Sequence, residues 1–417
     1  MSAIFITGGK PLYGSVRTQG AKNSVLPILA ATILCGGPCV VHNCPDLLDV
    51  NTSIRILRHL GCPAKREGAG AVAADTAGMN RFDIPEGLMR EMRSSVVFLG
   101  AILSRTGEAV MSYPGGCDLG PRPIDLHIAA LRQMGAEIRE EGGYLYCKAP
   151  KFTGCDIYLS TPSVGATENI MLAAARADGT TRILNAAREP EIGDLQDFLN
   201  AMGGRVTGAG SSTVTIEGVR RLSGAEHTVI PDRVAAATLL SAAALAGGDI
   251  AIGDTRPEDL ATVLSVLAKA GCDISEDGRE IRIRRDGALR PMGRICTMPH
   301  PGFPTDAQAL VMAVACRAEG VTMFSERIFE SRYRHVGELL RMGADIQVEG
   351  RVAVVRGVPK LYGARVCATD LRGGAALAVA ALAAEGETEL SGLQHIDRGY
   401  ERLEDVLASL GADIERK

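Results

Sequence analysis

Six times along the chain, a short run with apolar residues at every third or fourth position closes on a glycine and passes directly into a strand-like alternation. The runs are ILRHLGCPA, ALRQMGAEI, DFLNAMGGRV, SVLAKAGCDI, ELLRMGADI and DVLASLGADI. Their glycines, Gly61, Gly135, Gly203, Gly271, Gly343 and Gly411, are spaced 74, 68, 68, 72 and 68 residues apart. The period predicts a helix with one apolar face, and the glycine predicts its C-terminal stop. Six similar units at nearly even spacing mark an internal repeat.

Each unit also holds a second helix of a different kind. NSVLPILAATILCGGPCVV, SSVVFLGAILSRTGEAVM, ENIMLAAARADGTTRIL, RVAAATLLSAAALAGGDIAI, AQALVMAVACRAEGVTMF and GGAALAVAALAAEGETEL are rich in small residues and apolar nearly all round. Such a helix is buried on every side, here against its sister helices with strands outside them. The glycine beyond each predicts a left-handed terminator. The unit therefore reads as a buried helix, a strand, an amphipathic helix and further strands. Six units divide into two domains of three, with the switch near HTVIPDRVAA, residues 227–236. A solenoid is the rival architecture, but units of about 70 residues exceed the usual 20 to 50.

The formal net charge of −4 gives no basic excess of the kind that tracks a phosphate backbone, so nucleic acid is not an expected partner. No segment reaches the roughly 18 apolar residues of a membrane span. The opening MSAIFITGGK lacks a charged leader followed by a long apolar run. With eleven cysteines, an odd number, and no CxxC pair, the chain is expected in a reducing cytoplasm. Cys35, Cys39 and Cys44 lie close in LCGGPCVVHNC, but the spacing does not suit the usual zinc pairs, and the stretch reads as a helix end followed by a strand. No metal is expected.

The starts of the apolar helices read QGAKNS, EMRSS, SVGATEN, IPDRVA, FPTDAQ and TDLRGG. Lys22, Asn23, Arg93, Asp232, Arg233, Asp306, Asp370 and Arg372 thus occupy equivalent places. Asp is an ordinary cap, whereas a cation there opposes the helix dipole. One reading is local pairing, such as Arg372 with Asp370. Repetition across units favours the other, a shared anionic ligand held by helix N–H groups and cations together. FESRYRH adds Glu330, Arg332 and His335, and QHIDRGYERLED adds His395, Asp397 and Arg398. The stretch SYPGGCDLGPRPIDLH sets Cys117 among Pro114, Gly115, Gly116, Gly120, Pro121 and Pro123, which predicts a surface loop. With Arg122 and His127 nearby, its thiol is expected to ionise readily.

GAKNSVLPILAATIL, GGCDLGPRPIDLHIAALRQMGA, PSVGATENIM, HPGFPTDAQ, IFESRYRHVGELLRMGADI, TDLRGGAAL and HIDRGYERLEDVLASLGA resemble the enolpyruvyl transferase family, in particular its members that act on UDP-N-acetylglucosamine. The resemblance runs from about residue 4 to the C-terminus. It implies an α/β fold of two inside-out α/β barrel domains, each of three repeated units with buried helices and outer sheets, and an active site in the cleft between them. One lobe would span 22–229 and carry the cysteine loop 112–123; the other would join 1–21 to 230–417 and carry the catalytic base.

The chemistry implied is transfer of the enolpyruvyl group of phosphoenolpyruvate to the 3′-hydroxyl of UDP-N-acetylglucosamine with release of phosphate, the first committed step of peptidoglycan synthesis. Lys22, Arg122 and Arg398 match the family's phosphate ligands, and Arg332 and Arg372 match its arginines near the carboxylate. Asp306 matches the base. Cys117 matches the proton donor that also forms an adduct with phosphoenolpyruvate, on a loop that closes as a lid. Asn23, Arg93, Arg122, Pro123, Ile124, Asp125, Leu126, Ser163, Val164 and Gly165 match positions for the nucleotide sugar, and Ile328 lines its sugar pocket. No organic cofactor, metal, membrane insertion or nucleic acid is implied, and partner proteins are unknown.

Two departures stand out: Thr161 replaces a lysine that some members direct at the diphosphate, and Ala235 stands where a glutamate is expected. Within the same fold, the enzyme acting on shikimate 3-phosphate lacks the cysteine loop, and an RNA 3′-end cyclase is disfavoured by charge. A regulatory homologue without catalysis is expected to have lost Asp306, Lys22 or Cys117, all of which are present.

Overall fold

The computed structural model describes residues 2–68, 70–113 and 124–417. Cys117, Arg122 and Pro123 lie outside the described residues. The described residues form two compact units, one running up to Gln19 and from Pro231 to Lys417, the other from Gly20 to Tyr113 and from Ile124 to Ile230. Each has its own hydrophobic core.

The unit beginning at Gly20 is built on α1 (Lys22–Ala31), α2 (Phe98–Thr106) and α3 (Val164–Ala174), with α2 packed against the other two. All of α1 except Asn23 is buried, as is α3 from Ala166 onward. The second unit repeats the plan with α4 (Arg233–Ala246), α5 (Thr305–Ala315) and α6 (Leu371–Ala381), each touching the other two. Small residues allow this close approach. A Cβ on Gly100 of α2 would lie 2.3 Å from the backbone oxygen of Asn169 on α3, so only glycine fits there.

Three four-stranded sheets surround each set of buried helices. In five of the six, the strand after a buried helix pairs in parallel with a strand from elsewhere and antiparallel with the second arm of a hairpin. Pro38–His42, for example, runs parallel to Glu226–Thr228 (Val40 opposite Glu226) and antiparallel to Ala71–Asp75 (Val41 opposite Val72). The sixth sheet differs. Its second-arm place, between Glu387–Ser391 and Asp413–Arg416, is filled by the N-terminal strand Ile4–Thr7, with Ile4 opposite Leu390 and Phe5 opposite Glu415. Leu12–Arg17 then joins Gly248–Gly253 in parallel. The first nineteen residues thus complete two sheets of a unit whose remaining described residues begin at Pro231.

The six repeat glycines all lie at positive φ, between 86° and 105°. In every case the glycine N–H returns to a carbonyl three residues back, and the next N–H reaches one five back. Gly61 bonds Arg58 and Cys62 bonds Leu57, and the same pair recurs through Gly411 to Ala408 and Ala412 to Leu407. This double closure satisfies carbonyls that the helix leaves open and requires the left-handed conformation that glycine adopts without strain.

The buried helices end differently from expectation. Gly107 is a left-handed cap on α2 (φ 79°, ψ −6°), but α4 stops at Gly247, which has positive φ and lies outside the left-handed helical region (φ 84°, ψ 178°), and α1, α3, α5 and α6 end on right-handed residues. Their last carbonyls are met by tighter three-residue bonds, such as Arg317 to Val314 and Ala383 to Ala380, before the glycine is reached. Among the described residues, no helix is long and apolar enough to cross a membrane.

A Cβ at Gly203 would meet no atom within 4 Å, so substitution there tests conformation alone (φ 92°). Gly203→Ala should cost about 1 kcal/mol, seen as a lower urea midpoint, and Gly203→Asn should recover most of it. An alanine variant with the wild-type midpoint would overturn the terminator assignment.

Candidate active site

In the unit beginning at Gly20, Lys22 is the first residue of α1 and is buried. Its Nζ lies 2.6 Å from the carboxylate of Asp49, itself 2% exposed, in the first turn of the helix Leu48–His59. The helix that a cation would destabilise by its dipole is thus compensated by a buried acid from its neighbour. Asn23 follows, half-buried. Arg93 opens the 3₁₀ turn Arg93–Val97 that leads into α2. Ser163 caps α3, its Oγ accepting from the Ala166 N–H at 3.3 Å, with Val164 and Gly165 in the first turn.

The starts of α2 and α3 are tied together by one amide. Asn169 Oδ1 accepts from the Gly100 N–H at 2.6 Å, which orients its Nδ2 to donate to Val96 O at 2.7 Å and to His127 Nδ1 at 2.9 Å. His127 is therefore an acceptor at Nδ1, with its proton on Nε2. It sits on the helix Asp125–Gln133, preceded by buried Ile124, and Gly165 lies so close that a Cβ would be 3.1 Å from the imidazole Cε1. Burial pushes the His127 pKa down to about 4; nearby Asp125 opposes the shift and Arg93 adds to it. The ring is neutral at pH 7 and supplies no charge to ionise a thiol, contrary to the sequence expectation. On α3, burial and the neighbouring Glu191 and Glu189 hold the Glu168 carboxyl well above the usual range.

In the other unit, Asp306 is the second residue of α5 and gathers two of the expected arginines. Its Oδ1 lies 2.8 Å from Arg332 Nη2 and its Oδ2 3.4 Å from Arg372 Nη2. The arginine side chains are 2% and 4% exposed, whereas the carboxylate side chain keeps 29%, so the acid is the reachable member of the cluster. Arg332 also donates through Nε and Nη2 to Thr305 O, at 3.2 and 2.9 Å. Arg372 donates to Tyr400 Oη at 3.2 Å, and that hydroxyl meets Thr238 Oγ1 at 2.8 Å. Burial opposes the charge on Arg372, but Tyr400, Asp306 and Asp232 more than offset it and raise its pKa.

Arg372 does not pair with the Asp370 side chain. Asp370 Oδ1 instead caps α6, accepting from the N–H groups of Arg372 and Gly373 at 3.1 and 2.9 Å. Asp232 caps α4 in the same way through Val234 and Ala235, at 2.8 and 3.0 Å.

Ile328 and Arg398 are placed by residues the sequence did not single out. Glu326 Oε1 accepts from the Ile328 and Phe329 N–H groups at 2.7 and 3.0 Å, and its Oε2 accepts from Thr305 Oγ1 at 3.0 Å. The turn bearing half-buried Arg398 is held by Gln19, whose side chain donates to Gly399 O at 3.0 Å and accepts from Glu401 N–H at 2.9 Å. His335 is fully buried, and burial pushes its pKa down to about 4. Glu330 pairs with Arg351 at 3.1 Å and Asp397 with Arg416 at 2.6 Å. No group of three metal-ligating side chains stands together among the described residues.

Because His127 binds its proton less readily folded (about 4) than unfolded (about 6.5), its contribution to stability is complete above pH 6.5 and lost as the pH falls towards 4. The loss is on the order of 3 kcal/mol. His127→Gln, which keeps an acceptor and cannot be protonated, should remove that part of the acid sensitivity. Urea unfolding at pH 7 and pH 4.5 checks this; a stability gap between the two proteins that does not change with pH would overturn the assignment.

The family model for EPSP synthase (3-phosphoshikimate 1-carboxyvinyltransferase) matches residues 6–407. The chain is 52% identical over 416 residues to UDP-N-acetylglucosamine 1-carboxyvinyltransferase 2 of Caldanaerobacter subterraneus subsp. tengcongensis, covering all of both chains. It is 46% identical over 416 residues to the UDP-N-acetylglucosamine 1-carboxyvinyltransferase of Halorhodospira halophila, covering 100% of this chain and 99% of that one. Among solved structures, the enolpyruvyl transferase NikO from Streptomyces tendae superposes with a TM-score of 0.89 at 28% identity, covering 100% of this chain and 99% of that one. EPSP synthase from Acinetobacter baumannii shares the fold, with a TM-score of 0.78 at 19% identity and full coverage of both chains. The two units of three buried helices and three sheets are therefore the enolpyruvyl transferase fold, and the chain belongs to the 1-carboxyvinyltransferase family, alongside its UDP-N-acetylglucosamine members.

Proposed function

We propose that the chain transfers the enolpyruvyl group of phosphoenolpyruvate to the 3′-hydroxyl of UDP-N-acetylglucosamine and releases phosphate, the first committed step of peptidoglycan synthesis. The observation that carries this reading is the end-to-end match with transferases named for that acceptor. The Asp306 cluster gives it a chemistry. The acceptor oxygen attacks C2 of phosphoenolpyruvate as its proton passes to a base, and C3 takes up a proton. Loss of a proton from C3 then expels phosphate and restores the double bond.

Asp306 is the base in this reading. A carboxylate bridged by two guanidinium groups is a poor base, because its charge is already satisfied. An anionic substrate that draws Arg332 and Arg372 to its own carboxylate frees Asp306 to accept the hydroxyl proton. Lys22, Arg122 and Arg398 receive the phosphate, with charge placed before the reaction begins. Asn23, Arg93, the run from Arg122 to Leu126 and the N–H groups at Ser163, Val164 and Gly165 hold the nucleotide sugar, and Ile328 lines its pocket. Cys117, on the lobe of residues 22–229, delivers the proton to C3 and forms the adduct. The odd number of cysteines and the lack of paired spacing favour a reducing compartment, and we place the reaction in the cytoplasm.

Phosphate release from phosphoenolpyruvate should require UDP-N-acetylglucosamine and should not occur with shikimate 3-phosphate; release with the second acceptor alone would overturn the substrate assignment. Asp306→Asn should lower kcat by about 10²- to 10⁴-fold in the fraction that remains folded, and a variant with near-wild-type kcat would remove Asp306 from the role of base. Cys117→Ser should abolish covalent labelling by thiol-directed epoxides of the fosfomycin type, read by intact mass. Labelling that persists at another cysteine would displace Cys117 as the reactive thiol.

A further inference from the structure

Where α1 runs out, at the opposite end from Lys22, two thiols meet. Cys35 follows the 3₁₀ turn Thr32–Leu34 that extends α1, and Cys39 is the second residue of the strand Pro38–His42. Their sulfurs lie 3.5 Å apart. Cys35 is half-buried and Cys39 buried. Around Cys35 Sγ stand Thr32 O at 3.2 Å, Gly37 O at 3.3 Å and Thr76 Oγ1 at 3.7 Å. We propose that Cys35 and Cys39 form a reversible oxidation site, closed to a disulfide by oxidants of the hydroperoxide class.

The geometry divides the roles. Cys35 is the thiol that solvent reaches, and Cys39 stands behind it as the resolving partner. A disulfide needs the sulfurs at about 2.05 Å, and the link between them is Gly36–Gly37–Pro38, in which a Cβ at Gly37 would meet nothing within 4 Å. Gly36 faces the Arg105 guanidinium, where a Cβ would lie 2.5 Å from Nη2, and Gly37 O accepts from the Thr76 N–H at 3.1 Å, so closure is made chiefly by rotation of the two cysteine side chains.

The hydrogen bond from Cys39 lowers the Cys35 pKa to about 6, while the same bond and burial push Cys39 up. In contrast, burial raises the thiols of Cys44, Cys62, Cys147, Cys272 and Cys316. A half-buried thiol of lowered pKa in contact with a buried, protonated thiol is an arrangement that can be oxidised and then resolved.

The Cys35 thiolate attacks one peroxide oxygen, the O–O bond breaks, and hydroxide leaves to be protonated by solvent. Cys35 is then a sulfenic acid. Cys39 sulfur displaces its oxygen, the Cys39 proton leaves with that oxygen as a second water, and the S–S bond forms. Two thiols have been oxidised by two electrons and one peroxide reduced to two waters. A dithiol reductant reverses the step.

The test uses the wild-type full chain, treated with hydrogen peroxide, alkylated with iodoacetamide and digested with trypsin. Residues 23–55 form one tryptic peptide that contains Cys35, Cys39 and Cys44. It should lose two of its three alkylation sites, keep the one on Cys44, and regain both after dithiothreitol. In Cys39→Ser, oxidation should stop at a sulfenic acid on Cys35 that dimedone traps; in Cys35→Ser, dimedone should not label Cys39. A wild-type peptide that stays fully alkylated at peroxide doses that oxidise Cys117, or a disulfide that engages Cys44, would overturn the proposal. Because the principal readout is on the wild-type chain, poor folding of a variant does not decide it.

Discussion

A helix enclosed on every side by apolar neighbours can present chemistry only at its ends, and both units of this protein are organised by that restriction. Ala166 to Ala174 on α3, Val234 to Leu245 on α4 and Ala307 to Ala315 on α5 are buried without interruption. Their flanks have no polar surface to offer a ligand. The free N–H groups of the first turn and the side chains beside them are what remain, and these are the places occupied by Lys22, Ser163, Asp232, Asp306 and Asp370. Burial thus drives assembly and also fixes where polar function can stand.

Polar groups at such places must be paired, because an unpaired buried charge costs far more than its partner's desolvation adds. Two clusters near these helix starts meet this requirement in different ways. In one unit a neutral network stands beside the buried Lys22–Asp49 pair: Asn169 uses its amide to satisfy a backbone N–H, a backbone carbonyl and an imidazole, holding three segments together. In the other the cluster is ionic, with Asp306 between Arg332 and Arg372, and Tyr400 and Thr238 completing the hydrogen bonds around Arg372. The members of the neutral network are buried, whereas the ionic cluster keeps a partly exposed acid between two buried cations.

The periodic features of this arrangement were legible in the sequence. Six glycines at similar spacing announced six helix ends, and the all-apolar runs announced helices buried on every side, because both depend on residues close in the chain. Features that depend on distant partners were not. Asn169 looks like any polar residue near a helix start until Gly100 and His127 are brought to it, and Glu326 shows its purpose only when the N–H groups of Ile328 and Phe329 fold back over it. His127 was misread for the same reason: nearness to a cysteine loop in sequence suggested a charged neighbour, but its burial makes it neutral. The terminators of the buried helices were misjudged because three-residue bonds can satisfy the same carbonyls before a glycine is needed.

The N-terminal strands bring these threads together. Ile4–Thr7 fills the second-arm place in the sixth sheet, and Leu12–Arg17 pairs with Gly248–Gly253. Beyond this strand the Thr18 N–H bonds Gly253 O, and Gln19 O accepts from the Asp232 N–H. Gln19 spends both ends of its amide on the turn that bears Arg398. A cation in the last tenth of the sequence is therefore positioned by a residue in the first twentieth, and the connection runs through two sheets that close only when the N-terminus is in place. The clamp on the Arg398 turn is thus made by the residue two places beyond the strand that borders Gly248–Gly253, so the same N-terminal segment completes two sheets and holds this turn.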